Sequence, residues 1–264
     1  MPAARTSSRR ALAVCGVLVV ALFAVVALAP LPFVIAQPGT TTANVLGEHK
    51  SKPVITISGA PTRPTTGQLR MTTIEATGPD TQIRLGDVVE GWFRTDRAVM
   101  PREAVYPSGQ SDQEIAQHNV AEMKKSQDAA ADAALRYLHR SPKDVKVELS
   151  LADVGGPSAG LLFSLGVVDK LAGDGRGGDL TGGRVIAGTG TITPEGEVGA
   201  VGGVSLKTQA AARDGAKVFL VPKGECSDAS AELPKGMRLV PVTTLDQAVA
   251  SLKALKDGGR VPTC

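Results

Sequence analysis

Residues 155–160 read GGPSAG, and residues 187–207 read AGTGTITPEGEVGAVGGVSLK. The first stretch follows an alternating run, DVKVELS at 144–150, that predicts a strand, and it precedes an apolar segment long enough for a helix. The second stretch has turn residues at Pro194-Glu195-Gly196 between two β-rich runs and therefore predicts a hairpin. A helix from about Val204 to Ala212 follows. This mixture of strands and helices predicts an α+β domain.

Ser158 in the first stretch is a candidate nucleophile without a histidine partner. Residues 156–160 fit the G-x-S-x-G pattern of the α/β-hydrolases, which place an acid and then a histidine after the serine. No histidine follows His139, and a chymotrypsin-like order would have to use His139 or His118 from a helical region. The S-x-x-K and K-T-G strings of penicillin-binding proteins are also absent. Ser158 therefore needs another base.

Lys207 is the candidate base. A lysine can accept a proton when burial lowers its pKa from about 10.4 toward neutrality. On a helix that begins near Val204, Lys207 would share a face with Val204 and Ala211, which are small and apolar. Gly202 and Gly203 before the helix allow close approach of the backbone. We therefore pair Ser158 with Lys207.

The segments as a group, with AAARDGAKVFLVPKGEC at 210–226, resemble the proteolytic domain of the Lon proteases. The similarity covers about residues 140–256. In that family a serine in a G-P-S-A-G turn and the last lysine of a G-G-x-x-x-K segment form a dyad. The resemblance implies a Lon-type fold in which Ser158 is the nucleophile, Lys207 is the general base and Thr189 helps to orient the lysine. It implies polypeptide substrates and no cofactor.

The backbone N–H groups of Gly156 and Ser158 are the expected oxyanion donors, because they stand at the start of the following helix. Many Lon proteins have an aspartate where Gly155 stands here. Any role of that carboxylate would fall to nearby Asp153.

The ATPase module of true Lon proteases and the PDZ domain of related Lon-like proteins are both expected to be absent. No G-x-x-x-x-G-K-[ST] phosphate loop occurs in the sequence, which indicates an ATP-independent peptidase. The chain is similar to membrane-anchored, extracytoplasmic Lon-like proteins of Gram-positive bacteria, in which a PDZ domain follows the helix containing SQDAAADAALRYL. Here only a short segment separates that helix from GGPSAG.

Because Lon proteolytic domains commonly form six-membered rings, the resemblance also implies a homo-oligomer. Two other functions stay open. One is a catalytically degenerate, membrane-tethered binding or assembly module, and the other is an enzyme that processes its own tether.

The N-terminus predicts contact with a membrane. Residues 11–36 carry no charge, and roughly 20 apolar residues suffice to cross a bilayer as a helix. Arg5, Arg9 and Arg10 precede this segment, so the positive-inside rule places the N-terminus in the cytoplasm and the remainder outside. We expect a single-pass protein of the cell membrane. A retained anchor is favoured over a cleaved signal segment.

The pattern divides the chain into consecutive regions. A Pro/Thr/Gly-rich linker is followed by a region with a hairpin of PVITISG and GQLRMTTIEA and one or two helices over 111–139. Thr244 and Gln247 form a capping box before the last helix. The expected boundaries are a cytoplasmic N-terminus at 1–10, the transmembrane or signal segment at 11–36, the linker at 37–52, an N-terminal extracytoplasmic region at 53–139 and the Lon-like proteolytic domain at 140–264.

Composition argues against nucleic acids and metal ions as partners of this chain. The 29 basic residues are nearly balanced by 26 acidic ones, and three of the basic residues lie before the apolar segment, so no basic face for nucleic acid is indicated. The three cysteines form no C-x-x-C pair and the three histidines, His49, His118 and His139, are far apart, which argues against a metal site. In an oxidising compartment we expect Cys226 and Cys264 to form a disulfide.

Overall fold

The computed structural model describes residues 4–106, 112–151 and 156–264. Its contacts divide the chain into two units. The smaller combines residues 1–36 with 76–109, and the larger combines residues 37–75 with 110–264.

The described ranges contain seven α-helices and twelve β-strands. The helices are α1 (Ala4–Leu28), α2 (Leu85–Phe93), α3 (Asp112–Tyr137), α4 (Gly160–Leu171), α5 (Val204–Arg213), α6 (Cys226–Ala231) and α7 (Leu245–Lys256). The strands are β1 (Phe33–Asn44), β2 (Glu48–His49), β3 (Lys52–Pro53), β4 (Ile55–Ser58), β5 (Gln68–Ala76), β6 (Ala98–Pro101), β7 (Lys146–Leu149), β8 (Val185–Gly188), β9 (Thr191–Ile192), β10 (Val198–Gly199), β11 (Val218–Pro222) and β12 (Arg238–Val242). The mixed α+β class is confirmed.

A sheet with helices on both faces forms the centre of the larger unit. Its strands run in the order β12, β11, β8, β5, β1, and the first four are parallel to one another. Side chains of β11 alternate between two buried clusters: Val218 and Leu220 pack with α3, α4 and α7, whereas Phe219 and Val221 pack with α5 and α6. A strand that is buried on both faces explains the continuous apolar run at this position.

Helix α4 is buried almost all round. Every residue of this helix except Lys170 is buried, and α3 and α7 pack against it. A helix without a polar face belongs in a protein interior. Its N-terminus, which begins two residues after Ser158, is therefore held in a fixed place.

The prediction that residues 53–59 and 67–76 form a hairpin is wrong. Strand β4 pairs antiparallel with β7, and β5 lies between β8 and β1. Leu69 and Met71 of β5 are fully or almost fully buried. A strand with such buried side chains needs other elements packed on that face, and a central place in the sheet provides them. Alternation of residues identifies a strand, but it does not select the partner. The second predicted hairpin is confirmed as β9 paired with β10.

Residues 37–52 do not form the linker predicted for them. Strand β1 continues to Asn44, and β2 and β3 form a short antiparallel pair. The carboxylate of Glu75 accepts hydrogen bonds from the N–H and the hydroxyl of Thr40. Val45 is fully buried. Polar composition is a poor guide here, because the strand is stabilised by hydrogen bonds from its backbone groups to a neighbouring strand of the sheet.

The predicted boundary at residue 140 also differs from the structure. Helix α3 ends before that boundary, yet it packs against α4 and belongs to the larger unit. It is one helix, and Met123, Ala130 and Ala134 on its apolar face are buried, whereas Val120 is exposed. The unit that contains Ser158 therefore includes residues on both sides of 140.

The smaller unit begins with α1. The predicted apolar segment 11–36 is helical only to Leu28, and residues Phe33–Ala36 pair antiparallel with β6. Within the part of the chain that the structure describes, no helix has the length and hydropathy required to cross a membrane.

Candidate active site

Ser158 lies in a tight turn just before α4. Gly156 has a φ of 88°, a left-handed conformation that favours glycine. The hydroxyl of Ser126 on α3 donates to the Pro157 carbonyl at 2.9 Å. The Ser158 carbonyl accepts from the N–H of Gly190, also at 2.9 Å. Two neighbouring segments thus fix the half-buried Ser158 near the positive end of the α4 dipole.

Gly160 packs against these neighbours too closely to carry a side chain. A Cβ atom at this position would lie 2.9 Å from Ile192 Cγ2, 2.9 Å from Ser126 Oγ and 3.1 Å from the Ile192 nitrogen. We expect Gly160→Ala to lower the free energy of unfolding by about 1–3 kcal/mol through overpacking. Urea unfolding measures this loss. The matched control is Gly224→Ala, where nothing lies within 4 Å of the added carbon. Equal effects of the two substitutions would contradict the prediction.

Lys207 lies on α5 and is only 3% exposed. Val204 and Ala211, the residues that share its helix face, are fully buried, as the helical spacing predicts. Burial lowers the pKa of Lys207 to about 8, against the opposing effect of the negative charges of Asp228 and Glu225. An ordinary lysine is almost entirely protonated near neutral pH, whereas Lys207 has an appreciable neutral fraction there.

Thr189 connects Lys207 to the serine turn. Lys207 Nζ donates to Thr189 Oγ1 at 3.2 Å, and Thr189 Oγ1 donates to the Ser158 carbonyl at 3.2 Å. Thr189 is fully buried, and its N–H donates to the Leu220 carbonyl at 3.1 Å. Within the residues that the structure describes, no hydrogen bond joins the Ser158 hydroxyl to Lys207. The fold thus brings Ser158, Thr189 and Lys207 together through the threonine.

Asp228 is a residue of this site that the sequence analysis missed. Helix α5 begins after Gly203, which has a left-handed φ of 65° and no side chain to cap the helix. The N–H of Val204 donates instead to Asp228 Oδ2 of α6 at 2.7 Å. Glycine at the cap position was the available signal, because it leaves the first N–H groups of α5 to an acceptor from elsewhere. The sequence offers no means of identifying that acceptor.

The two expected oxyanion donors differ in their surroundings. The Gly156 N–H donates to the Asn119 carbonyl of α3 at 3.2 Å. The Ser158 N–H makes no hydrogen bond within the described part of the chain. Gly155 and Asp153 fall outside the described residues.

Cys226 and Cys264 are joined by a disulfide, with 5.3 Å between their Cα atoms. Cys226 begins α6, the helix that carries Asp228. His118 and His139 are exposed. In the ranges 4–106, 112–151 and 156–264, no group of three or more His, Cys, Asp or Glu residues is arranged to hold a metal ion.

An α+β domain that holds a serine in a glycine-rich turn near a buried lysine has the groups that a serine peptidase without a catalytic histidine requires. The sequence model of the Lon protease (S16) C-terminal proteolytic domain matches residues 111–255, which is more than half of the chain. The chain therefore belongs to this family.

Individual relatives agree with the family match. The chain is 35% identical over 97 residues to the Lon protease of Chloroflexus aggregans (strain MD-66 / DSM 9485), which covers 35% of this chain and 11% of the relative. It is 37% identical over 98 residues to the Lon protease of Azospirillum brasilense, covering 36% and 11%. It is 34% identical over 114 residues to Lon protease 1 of Myxococcus xanthus, covering 41% and 13%. The chain thus matches only a small part of the length of these relatives. Membership of the family indicates a proteolytic domain of the serine peptidase class.

Proposed function

We propose that the protein is an ATP-independent serine endopeptidase in which Ser158 is the nucleophile and Lys207 is the general base. The hydrogen bonds from Lys207 through Thr189 to the Ser158 turn carry this proposal. Burial lowers the pKa of Lys207 to about 8, which gives the neutral amine that a base requires. ATP independence rests on the sequence, which has no phosphate loop.

The reaction is an acyl transfer in two halves. Neutral Lys207 takes the proton of the Ser158 hydroxyl, and the oxygen attacks the peptide carbonyl to form a tetrahedral intermediate. Lys207 then gives the proton to the departing amine, and the acyl-serine remains. Water, deprotonated by Lys207, cleaves the ester and regenerates Ser158. Thr189 is the positioning residue that holds the Lys207 amine.

The oxyanion is stabilised by backbone N–H groups at the start of α4. The Ser158 N–H is available for this role, whereas the Gly156 N–H must first leave the Asn119 carbonyl. Binding of substrate beside the turn would supply the competing acceptor.

Asp228 should set the pH range of activity. Its negative charge raises the pKa of Lys207 against the effect of burial. We expect Asp228→Asn, which keeps an oxygen for the Val204 N–H, to move the acid limb of the kcat/KM profile to lower pH by up to about one unit. The measurement is a pH–rate profile of peptide hydrolysis with Asp246→Asn, an exposed change on α7, as the control. A shift to higher pH, or none, would contradict this role.

Membrane attachment and an extracytoplasmic location also belong to the proposal. They are supported by the uncharged run that begins at Ala11 and by Arg5, Arg9 and Arg10 before it. The family resemblance further supports assembly into a homo-oligomer, with a six-membered ring as the expected form.

The test combines hydrolysis with chemical labelling. The full chain is incubated without nucleotide with an unstructured, fluorescence-quenched polypeptide, and separately with a phosphonofluoridate that reacts with activated serines. We expect cleavage of the polypeptide and a single adduct, located on Ser158 by peptide mass spectrometry. An adduct on another serine would move the nucleophile elsewhere. A folded, assembled protein with neither cleavage nor adduct would instead favour the binding or assembly module, and shortening of the protein's own chain alone would favour self-processing.

A further inference from the structure

Helix α2 presents an apolar stripe that nothing in the described chain covers. Trp92 is 69% exposed and Phe93 is 86% exposed, and Leu85 and Val89 are exposed beside them. The spacing of these four residues, i, i+4, i+7 and i+8, places them on one side of the helix. Large exposed apolar patches of this kind mark binding surfaces.

The stripe is held outward by the packing of the adjoining side of the helix. Val88 is buried with Ile83 and Ile35 in the core of the smaller unit. Gly91 lies so close to β6 that an added Cβ would come within 2.6 Å of Val99 Cγ2. Because α2 cannot rotate about its axis without breaking these contacts, the exposure of Trp92 is a fixed property of the fold.

The position of helix α1 indicates what the stripe contacts. The N–H of Leu31, three residues after α1 ends, donates to the carbonyl of Ile83 at 2.7 Å, and Ile83 is the second residue before α2. Helices α1 and α2 also contact each other. The exposed apolar side chains of α1, such as Phe23 and Leu28, thus belong to the same unit as the stripe.

Charges near α2 neutralise one another. Glu90 pairs with Arg94 at 3.6 Å and with Arg97 at 3.2 Å, and Arg94 pairs with Asp96 at 2.7 Å. A surface without surplus charge has no electrostatic preference for an acidic or basic partner. Tryptophan and phenylalanine beside an apolar helix suit the boundary between lipid headgroups and acyl chains.

We infer that the stripe of Leu85, Val89, Trp92 and Phe93 is a lipid-binding surface that lies in the interfacial layer of a bilayer beside α1. This inference rests on the proposed membrane attachment and adds a second lipid contact to it. Two separate contacts would restrict the orientation of the smaller unit on the membrane, which a single flexible attachment would leave free.

Trp92 is the sole tryptophan of the chain, so its fluorescence in the full-length protein reports on the stripe directly. The protein is reconstituted into uncharged phosphatidylcholine vesicles that contain lipids brominated either near the headgroup or near the bilayer centre. We expect Trp92 emission to shift to shorter wavelength and to fall by at least about half, more with the shallow bromines than with the deep ones. Adding anionic lipid should change neither result, because the charges around α2 are paired.

The reference is Phe23→Trp in a Trp92→Phe background, which places the only tryptophan on α1. If this probe is quenched and Trp92 is not, membrane attachment stands and the inference fails. If neither probe is quenched and the protein does not float with vesicles, both fail. Protection of Trp92 from both bromolipids and acrylamide would mean that protein covers the stripe, such as a second copy of the chain, and would also overturn the inference.

A substitution on the stripe gives a second readout that leaves Trp92 in place. Val89→Lys should reduce quenching of Trp92 by shallow bromines at least about twofold, because a charge there resists burial among acyl chains. Val89→Leu is the matched control and should leave quenching unchanged or raise it. Equal quenching in the two variants would count against a lipid-facing stripe.

Discussion

Ser158→Ala and Lys207→Ala should each reduce hydrolysis of an unstructured polypeptide by at least about a hundredfold in kcat/KM. In the proposed mechanism the serine variant lacks the nucleophile. The lysine variant lacks the buried amine that hydrogen-bonds to Thr189, the residue that donates to the Ser158 carbonyl. Because the two groups act as one unit, the double variant should lose little more than either single one. Additive losses would indicate that Ser158 and Lys207 contribute to separate steps.

Two nearby substitutions control for general damage. Ser205→Ala lies on α5 beside Lys207, and Lys217→Ala removes an exposed lysine before β11. Both should retain nearly full activity.

The pH–rate profile of the wild-type protein gives a further check. Since the neutral Lys207 amine is the proposed active form, kcat/KM should rise with pH and level off above the Lys207 pKa of about 8. A profile that is already flat well below this pH would exclude Lys207 as the base.

Loss of the disulfide should have the largest effect on stability. Cys226 and Cys264 are 38 residues apart, and closing a loop of this length removes enough entropy from the unfolded chain to stabilise the fold by about 4 kcal/mol. We expect the Cys226→Ser, Cys264→Ser double variant to lose an amount of this order in the free energy of unfolding. Urea unfolding under oxidising conditions measures it.

Cys15 provides the matched control. It is the free, exposed cysteine of the described chain, and Cys15→Ser should leave the unfolding curve unchanged. Wild-type protein treated with a reductant should coincide with the double variant. A loss below about 1 kcal/mol would show that the C-terminal segment stays in place without the covalent bond.

Local patterns identified much of the larger unit. Helices α5 and α7 and strand β11 occur where periodicity and end signals predict them. At the start of α7, the Thr244 side chain accepts from the Gln247 N–H at 3.2 Å. The other half of the predicted capping box differs, because Gln247 Oε1 accepts from Thr243. Such features depend on residues within a few positions of each other, so the sequence contains what is needed to predict them.

Pairing between strands could not be predicted in the same way. Residues 53–59 and 67–76 alternate as strands do, yet β4 and β5 find partners far along the chain. Partner choice depends on which faces must be buried in the complete sheet. The same limit applied to residues 37–52, where polar composition suggested a linker and neighbouring backbone groups formed strands.

By itself, the sequence determined that Ser158 stands at a strand-to-helix turn and that Lys207 lies on an apolar helix face, because both follow from local spacing and motif. Only the tertiary structure decided that Thr189 hydrogen-bonds to both segments and that the Asp228 carboxylate caps α5. It also decided that the Gly156 N–H donates to the Asn119 carbonyl. Each of these contacts joins segments that are distant in the chain. They form only when burial of the sheet and of α4 brings those segments to hydrogen-bonding distance.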